Sequence, residues 1–398
     1  MNTTQDDTES PVISTHNKMI QPKSFYFFYY AAGASLFPFL VLYYHELGLS
    51  GREIAWLMAI TPFTALFSAS LWGAIADATQ RHRQLLLVAI IGVMASALTL
   101  SATTTFVTLL PVVATFAFFM APIIPLVDNS VLETLGENRS RYGRIRLWGA
   151  LGWGITASIL GHITETFGLS YSFYGYALLM ISCFILATRL PITPVQIGQK
   201  FTHGLKQLLG NTQWVLFLIT LLISGIGLST AHSYLFLYLE GLGASKSLMG
   251  LSLAVATLSE LVIFFYAGRL LDRWGTRKIL ITTLIAHVIR LMGYAFAQTP
   301  EQVLFIQLLH GPTFSLIWVA GVSYANQMAP KGMGATAQGL LSAVYFGMGA
   351  TGGGIIGGYL YESIGLSQMY FWAGIWVSGG LILFTLFGKK TNTYKPLK

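Results

Sequence analysis

Long apolar stretches broken by short polar ones run the length of the chain. They fall at 25–44, 54–76, 84–127, 147–164, 166–188 and 213–239, then at 247–268, 279–298, 302–328, 335–361 and 367–387. A helix needs ~20 mostly apolar residues to cross a ~30 Å hydrocarbon core. The stretch 84–127 is long enough for two crossings, joined near Thr103 to Thr105, so the pattern predicts twelve helices. The two-residue alternation of a membrane β-barrel is absent. The predicted fold class is therefore an all-α integral membrane protein with twelve transmembrane helices.

Composition and charge placement add sidedness. Of the 398 residues 54% are hydrophobic and only 10% charged, against ~25% charged in soluble domains. With both termini on one side, that side holds all 23 Lys and Arg except Arg52, Lys246 and the intramembrane Arg290. This is the positive-inside bias, so the net charge of +8 is a topological signal and no nucleic-acid partner is expected. The expected location is a bacterial inner (plasma) membrane with both termini cytoplasmic. The segment before the first span lacks the n-, h- and cleavage regions of a signal peptide. The single cysteine, Cys183, reads as buried filler. Asn138-Arg139-Ser140 matches a glycosylation sequon but falls on the cytoplasmic side.

Three ionisable residues stand inside consecutive spans: Glu260, Arg290 and His310. At ~1.5 Å per residue, Glu260 is roughly 14 Å from the end of its span, and the other two roughly 12 Å from theirs. A charge in hydrocarbon is costly, and such groups face a partner or a watery cavity. The bland alternative is a static ion pair that only holds the helices together. His287, one turn before Arg290, reads equally as a cavity or a packed residue. His232, near the outer end of span seven, reads as solvated or packed.

A repeat divides the chain. Gly73, Asp77 and Arg81 follow the second span, and Gly268, Asp272, Arg273 and Arg277 follow the eighth, with the two aspartates 195 residues apart. Internal repeats are a common plan of secondary transporters. A glycine permits close helix approach and an aspartate beside a basic loop pairs with arginine or caps a helix, so these residues are candidates for a conformational latch. The expected organisation is a cytoplasmic tail over 1–23, a six-helix half over 24–189, a linker over 190–212, a pseudo-symmetric six-helix half over 213–388 and a tail over 389–398.

Spans four and five carry a denser constellation. Asp128 follows Pro122 and Pro125, which are expected to kink the helix. Arg144 and Arg146 follow a tight connection that returns one of them toward Asp128. Trp153 stands seven residues beyond Arg146, on the same face two turns deeper. An acid, a guanidinium and an indole can bind hydroxyls, a carboxylate and a ring face. Arg139 and Arg141 read as ordinary positive-inside charge, and for Trp153 packing and stacking stay open. The aromatic residues of span one line a cavity or face lipid. Glycines four apart in span eleven permit close backbone contact; no phosphate-loop Lys-Ser or Lys-Thr follows them. No metal site, nucleotide fold or nucleophile–base set is evident, so no cofactor, no metal and no enzyme activity are expected.

The stretches PLVD, YGRIRLWG, LSELVIFF, VIRLMGYAFA, LLHGPTF and LYESIG, with FYFF and FPF in span one, resemble the lactose permease and phenylpropionate permease branch of the major facilitator superfamily over nearly the whole chain. The resemblance implies the major facilitator fold. It implies sugar binding by Asp128 and Arg146, stacking by Trp153, and coupling of substrate to proton movement by Glu260, Arg290 and His310. Three positions depart from the pattern: Thr313 replaces a glutamate, Gln307 a lysine, and Phe346 the lysine of a buried acid–lysine pair. By position the proton carrier becomes Glu260 or Asp128. The expected function is a proton-coupled symporter, a monomer in the lipid bilayer, moving a small organic solute (sugar- or nucleoside-like, or an aromatic carboxylate) by alternating access. Proton-driven efflux is the second reading, and a non-transporting sensor or scaffold is the third.

Overall fold

Twelve helices account for nearly all of the described residues of the computed structural model, which are 19–136, 142–190, 208–330 and 333–388. In the first half α1 is Ile20–Glu46, α2 Gly51–Thr79 and α3 His82–Ser101. Helix α4 comes in two pieces, Phe106–Met120 and Ile123–Leu135, followed by α5 (Tyr142–Phe167) and α6 (Ser170–Arg189). In the second half α7 comprises Thr212–Ser233 and Leu235–Gly241, α8 is Lys246–Trp274 and α9 is Thr276–Phe296. Helix α10 runs Pro300–Ile306, a 3₁₀ turn Gln307–Leu309, then His310–Met328. Helix α11 is Gly334–Ser342, a π segment Ala343–Met348 and Gly349–Ile364, and α12 is Leu366–Phe387.

Eleven of the twelve are long and apolar enough to cross a membrane, and α5 is the other. It carries Arg144, Arg146, His162 and Glu165, which a helix can hold because α1 on one side and α8 on the other cover much of it. Helix α1 starts at Ile20, four residues inside the expected tail; Pro22 is tolerated there because first-turn N–H groups have no intrahelical partner. The expected kink in span four is a break between Met120 and Ile123, at Pro122. Most of the expected 190–212 linker, both tails, and the sequon with Arg139 and Arg141 lie outside the described residues.

The two halves repeat each other in detail. Helix α1 packs on α5 and α6, α2 on α4, and α3 on α4 and α6; six helices on, α7 packs on α11 and α12, α8 on α10, and α9 on α10 and α12. Ser50 caps α2 and Ser245 caps α8. The turns after α2 and α8 each use a residue of positive φ, Gln80 (φ 55°, ψ 23°) and Gly275 (φ 75°, ψ 157°), though only Gln80 is in the left-handed helical region. Glutamine there adopts a conformation that costs a side-chain-bearing residue and suits glycine.

Helix pairs α2–α11 and α5–α8 join the halves. We call the end where α1 begins and α12 finishes basal, and the opposite end distal. Joining is tightest distally, where small residues let backbones touch. A Cβ on Gly358 would stand 2.6 Å from the Gly51 carbonyl oxygen and 2.5 Å from Ala55 Cβ; one on Gly250 would stand 2.2 Å from the Ala157 carbonyl oxygen. Ion pairs cluster there too, Arg52 with Glu362 at 3.1 Å and Lys246 with Glu46 at 3.0 Å. Glu165 accepts hydrogen bonds from the Ser247 backbone N–H (3.0 Å) and hydroxyl. Toward the basal end, α2 contacts the Ala343–Met348 portion of α11.

Candidate functional site

Two polar clusters, one in each half, flank the space between the halves. In the first, Gly149 and Gly152 seat α5 so closely on α1 that a Cβ would meet the Tyr30 ring at 2.4 Å and the Phe27 carbonyl oxygen at 2.1 Å. That approach brings Arg146 against α1. Its Nη1 donates to Asp128 Oδ2 (3.0 Å) and to the Tyr142 hydroxyl (3.1 Å), and its Nη2 donates to the Tyr30 hydroxyl. The Tyr26 hydroxyl donates to the other Asp128 oxygen (2.5 Å). The guanidinium carbon lies 5.6–6.0 Å from the rings of Tyr26, Tyr30 and Tyr142, within cation–π range. Asp128 and Arg146 thus meet as the four–five hairpin suggested. The tyrosine cage was not singled out in advance; its one sequence signal is the four-residue spacing of Tyr26 and Tyr30 ahead of a distant acid and arginine. Arg144 has no described place in the cluster.

In the second half, Gly311 packs against the Ser259 backbone, and its N–H donates to Ser259 Oγ (3.2 Å). Close packing of α8 and α10 sets Glu260 beside His310, with Nε2 3.8 Å from the carboxylate. Arg290 does not join this pair as expected. Its Nε donates to the Tyr294 hydroxyl (3.0 Å), Nη1 to Thr313 Oγ1 (3.1 Å) and Nη2 to Gln307 Oε1 (2.9 Å). Tyr294 also donates to Gln307 Oε1, at 2.9 Å. The guanidinium fork is satisfied by three neutral groups on α9 and α10, and is only 2% exposed. Two of them, Thr313 and Gln307, are the very departures from the sugar-symporter pattern. His287 is buried and hydrogen-bonded through Nδ1 to Ser224 Oγ on α7 (3.1 Å), away from the Glu260 carboxylate.

Beside the second cluster, and reached from the first half by Trp153, lies a cavity of about 30 Å³, room for one or two waters, lined by Trp153, His232, Thr257, Glu260, Arg290, Gln307 and His310 among others. His232 faces Trp153 across the two halves, ring centroids 6.0 Å apart. It therefore sits in the cavity wall, packed against the indole. Two residues on, α7 breaks at Tyr234, whose hydroxyl donates to the Gly354 carbonyl of α11 (2.7 Å).

Of the latch candidates, the side chain of Asp77 lies outside what the structure describes. A Cβ on Gly73 or on Gly268 would meet nothing within 4 Å, so neither marks a close helix contact here. Arg277 donates to the carbonyls of Thr385 (2.8 Å) and Gly388 (3.0 Å), fastening α9 to the end of α12. Arg81, Asp272 and Arg273 are exposed, and among the described residues no ion pair involves Asp272.

Comparison with known proteins fits this architecture. The sequence pattern of the MFS_1-like family matches residues 19–372. A maltose permease of Geobacillus stearothermophilus is 29% identical over 372 residues, covering 93% of this chain and 94% of the permease. Transporter YwbF of Bacillus subtilis (strain 168) is 27% identical over 389 residues, covering 94% and 97%. The crystal structure of nucleoside transporter NupG superposes with a TM-score of 0.80 at 19% identity, covering 93% of this chain and 98% of that one.

Proposed function

The chain belongs to the MFS_1-like family of membrane transporters, and from that premise we propose that it is a proton-coupled symporter of a neutral, hydroxyl-bearing solute, working by alternating access. The reading rests above all on Glu260. Its carboxylate borders the cavity between the halves and has the His310 imidazole, not a guanidinium, as its neighbour. An acid so placed can take a proton from the cavity and lose it again as the helices around it shift.

Charge balance supports a neutral solute. Asp128 neutralises Arg146 at 3.0 Å, and the guanidinium hydrogen bonds of the buried Arg290 go to Tyr294, Thr313 and Gln307, so neither arginine offers an open fork to an anion. The hydroxyls of Tyr26, Tyr30 and Tyr142 around the first pair suit a polyhydroxylated ligand, and the maltose permease is a relative whose name carries such a solute. Because the basal side holds almost all the Lys and Arg, it is the cytoplasmic side. The distal contacts then lie at the outer face.

A flux assay in proteoliposomes tests this. An inward-directed proton gradient should drive uptake of labelled maltose or uridine above its equilibrium level, and dissipating the gradient should end it. Uptake that ignores the gradient removes the coupling; no flux of any solute removes the symporter.

A further inference from the structure

Helix α10 carries aromatic residues beyond the coupling site. His310 and Phe314 stack at 5.5 Å, Phe314 meets Phe346 of α11 at 6.2 Å, and Phe346 meets Trp318 at 5.2 Å. The direction of Trp318 follows from its neighbours. Three residues before it, Ser315 donates to the Glu260 carbonyl on α8 (3.3 Å). Three residues after it, Gly321 lies against Leu341 of α11. Nine residues on, half a turn beyond whole turns, Gln327 donates to Thr276 of α9 (2.9 Å). Trp318 therefore points away from α9 into the gap between α8 and α11, which α5 and α2 of the other half border.

Phe346 occupies the same gap and is 41% exposed. It belongs to the π segment of α11, an irregularity frequent at functional positions. Its ring stands where the resemblance puts a charge. The pair also matches the first-half cluster in depth. Trp318 is eight residues basal to His310, roughly 12 Å, and Arg146 is seven residues basal to Trp153, roughly 10 Å. His310 and Trp153 line one cavity. At the basal level, then, an acid, an arginine and tyrosine hydroxyls stand on one side and two aromatic rings on the other.

Resting on the transport reading above, we infer that Trp318 and Phe346 form a stacking wall that selects a two-ring neutral solute. One ring lies between this wall and Asp128–Arg146, hydroxyls toward the charges and apolar face toward the indole. The second ring reaches the level of Trp153 and Glu260, where the cavity of about 30 Å³ has to widen as the helices shift to admit it. A disaccharide and a nucleoside share this chemistry; a monosaccharide or a single-ring aromatic acid occupies one level only. Carbohydrate and base faces both stack on aromatic rings.

Binding to the purified full-length protein tests the inference with four probes: maltose, uridine, glucose and 3-phenylpropionate. The expected result is that at least one two-ring probe binds about tenfold or more tighter than both single-ring probes, the scale of one stacking partner. Trp318→Ala and Phe346→Ala should each remove about tenfold of that advantage, and Trp318→Phe should restore most of it. Thermal unfolding of the same preparations identifies any variant lost to misfolding, and Trp318→Phe then carries the comparison. Single-ring probes binding as tightly, no binding of either two-ring probe, or alanine variants with wild-type preference each overturn the inference. Gradient-driven flux in wild-type liposomes is a separate readout, so the transport reading can stand when the stacking wall falls.

Discussion

The guanidinium of Arg290 lies 3.1 Å from the hydroxyl of Thr313. Threonine here does more than vacate the place of an acid. It supplies one of three neutral acceptors that keep the buried arginine away from Glu260. Thr313→Val should leave one guanidinium N–H without its acceptor and cost about 1–3 kcal/mol of stability. Thr313→Ser should keep it. Thermal unfolding in one detergent compares them, and equal midpoints for valine and wild type would remove the role of this bond.

Glu260→Gln mimics the protonated acid. It should abolish gradient-driven accumulation while solute exchange across the liposome membrane persists. Accumulation by this variant would shift the proton to Asp128, whose neutral variant is then the next to measure.

Asp128→Asn and Arg146→Lys should each weaken solute binding about tenfold or more, the scale of a lost charged hydrogen bond. Lysine cannot reproduce a fork that serves Asp128, Tyr142 and Tyr30 at once. Tyr30→Phe removes one hydroxyl and should cost less than either. Equilibrium binding checks the order, and wild-type affinity in both charge variants would take the cluster out of the site.

Gly358 is where a side chain cannot fit without moving α2 off α11, because backbone and Cβ atoms both stand in its way. Gly358→Ala should shift the population toward distal opening, read as faster thiol labelling of a cysteine introduced at a position buried in the distal contact, such as Ala157. Glu362→Gln removes only an exposed pair worth on the order of 1 kcal/mol or less and should shift labelling far less. Equal effects of the two would show that charge, not backbone approach, closes that end.

Much of this protein follows from local chemistry and was legible along the chain. Apolar runs of membrane length, the basic loops on one side and the repeat offset by 195 residues specify membrane helices in two halves, because a backbone in lipid that does not close into a barrel must satisfy its hydrogen bonds within helices. That Asp128 meets an arginine of α5 was also legible, since a short hairpin leaves the two helices little choice of register; that it is Arg146 and not Arg144 was implied only by the resemblance. What the sequence left open depended on helices far apart in the chain. Arg290 turns to Thr313 and Gln307 because α9 packs on α10 there; helical spacing sets how deep a residue lies, not which neighbour its long side chain meets. Tyr26 and Tyr30 enter the Asp128 cluster only because Gly149 and Gly152 bring α5 onto α1. His232 reaches Trp153 only across the two halves, where contact is decided by which end of the molecule is closed.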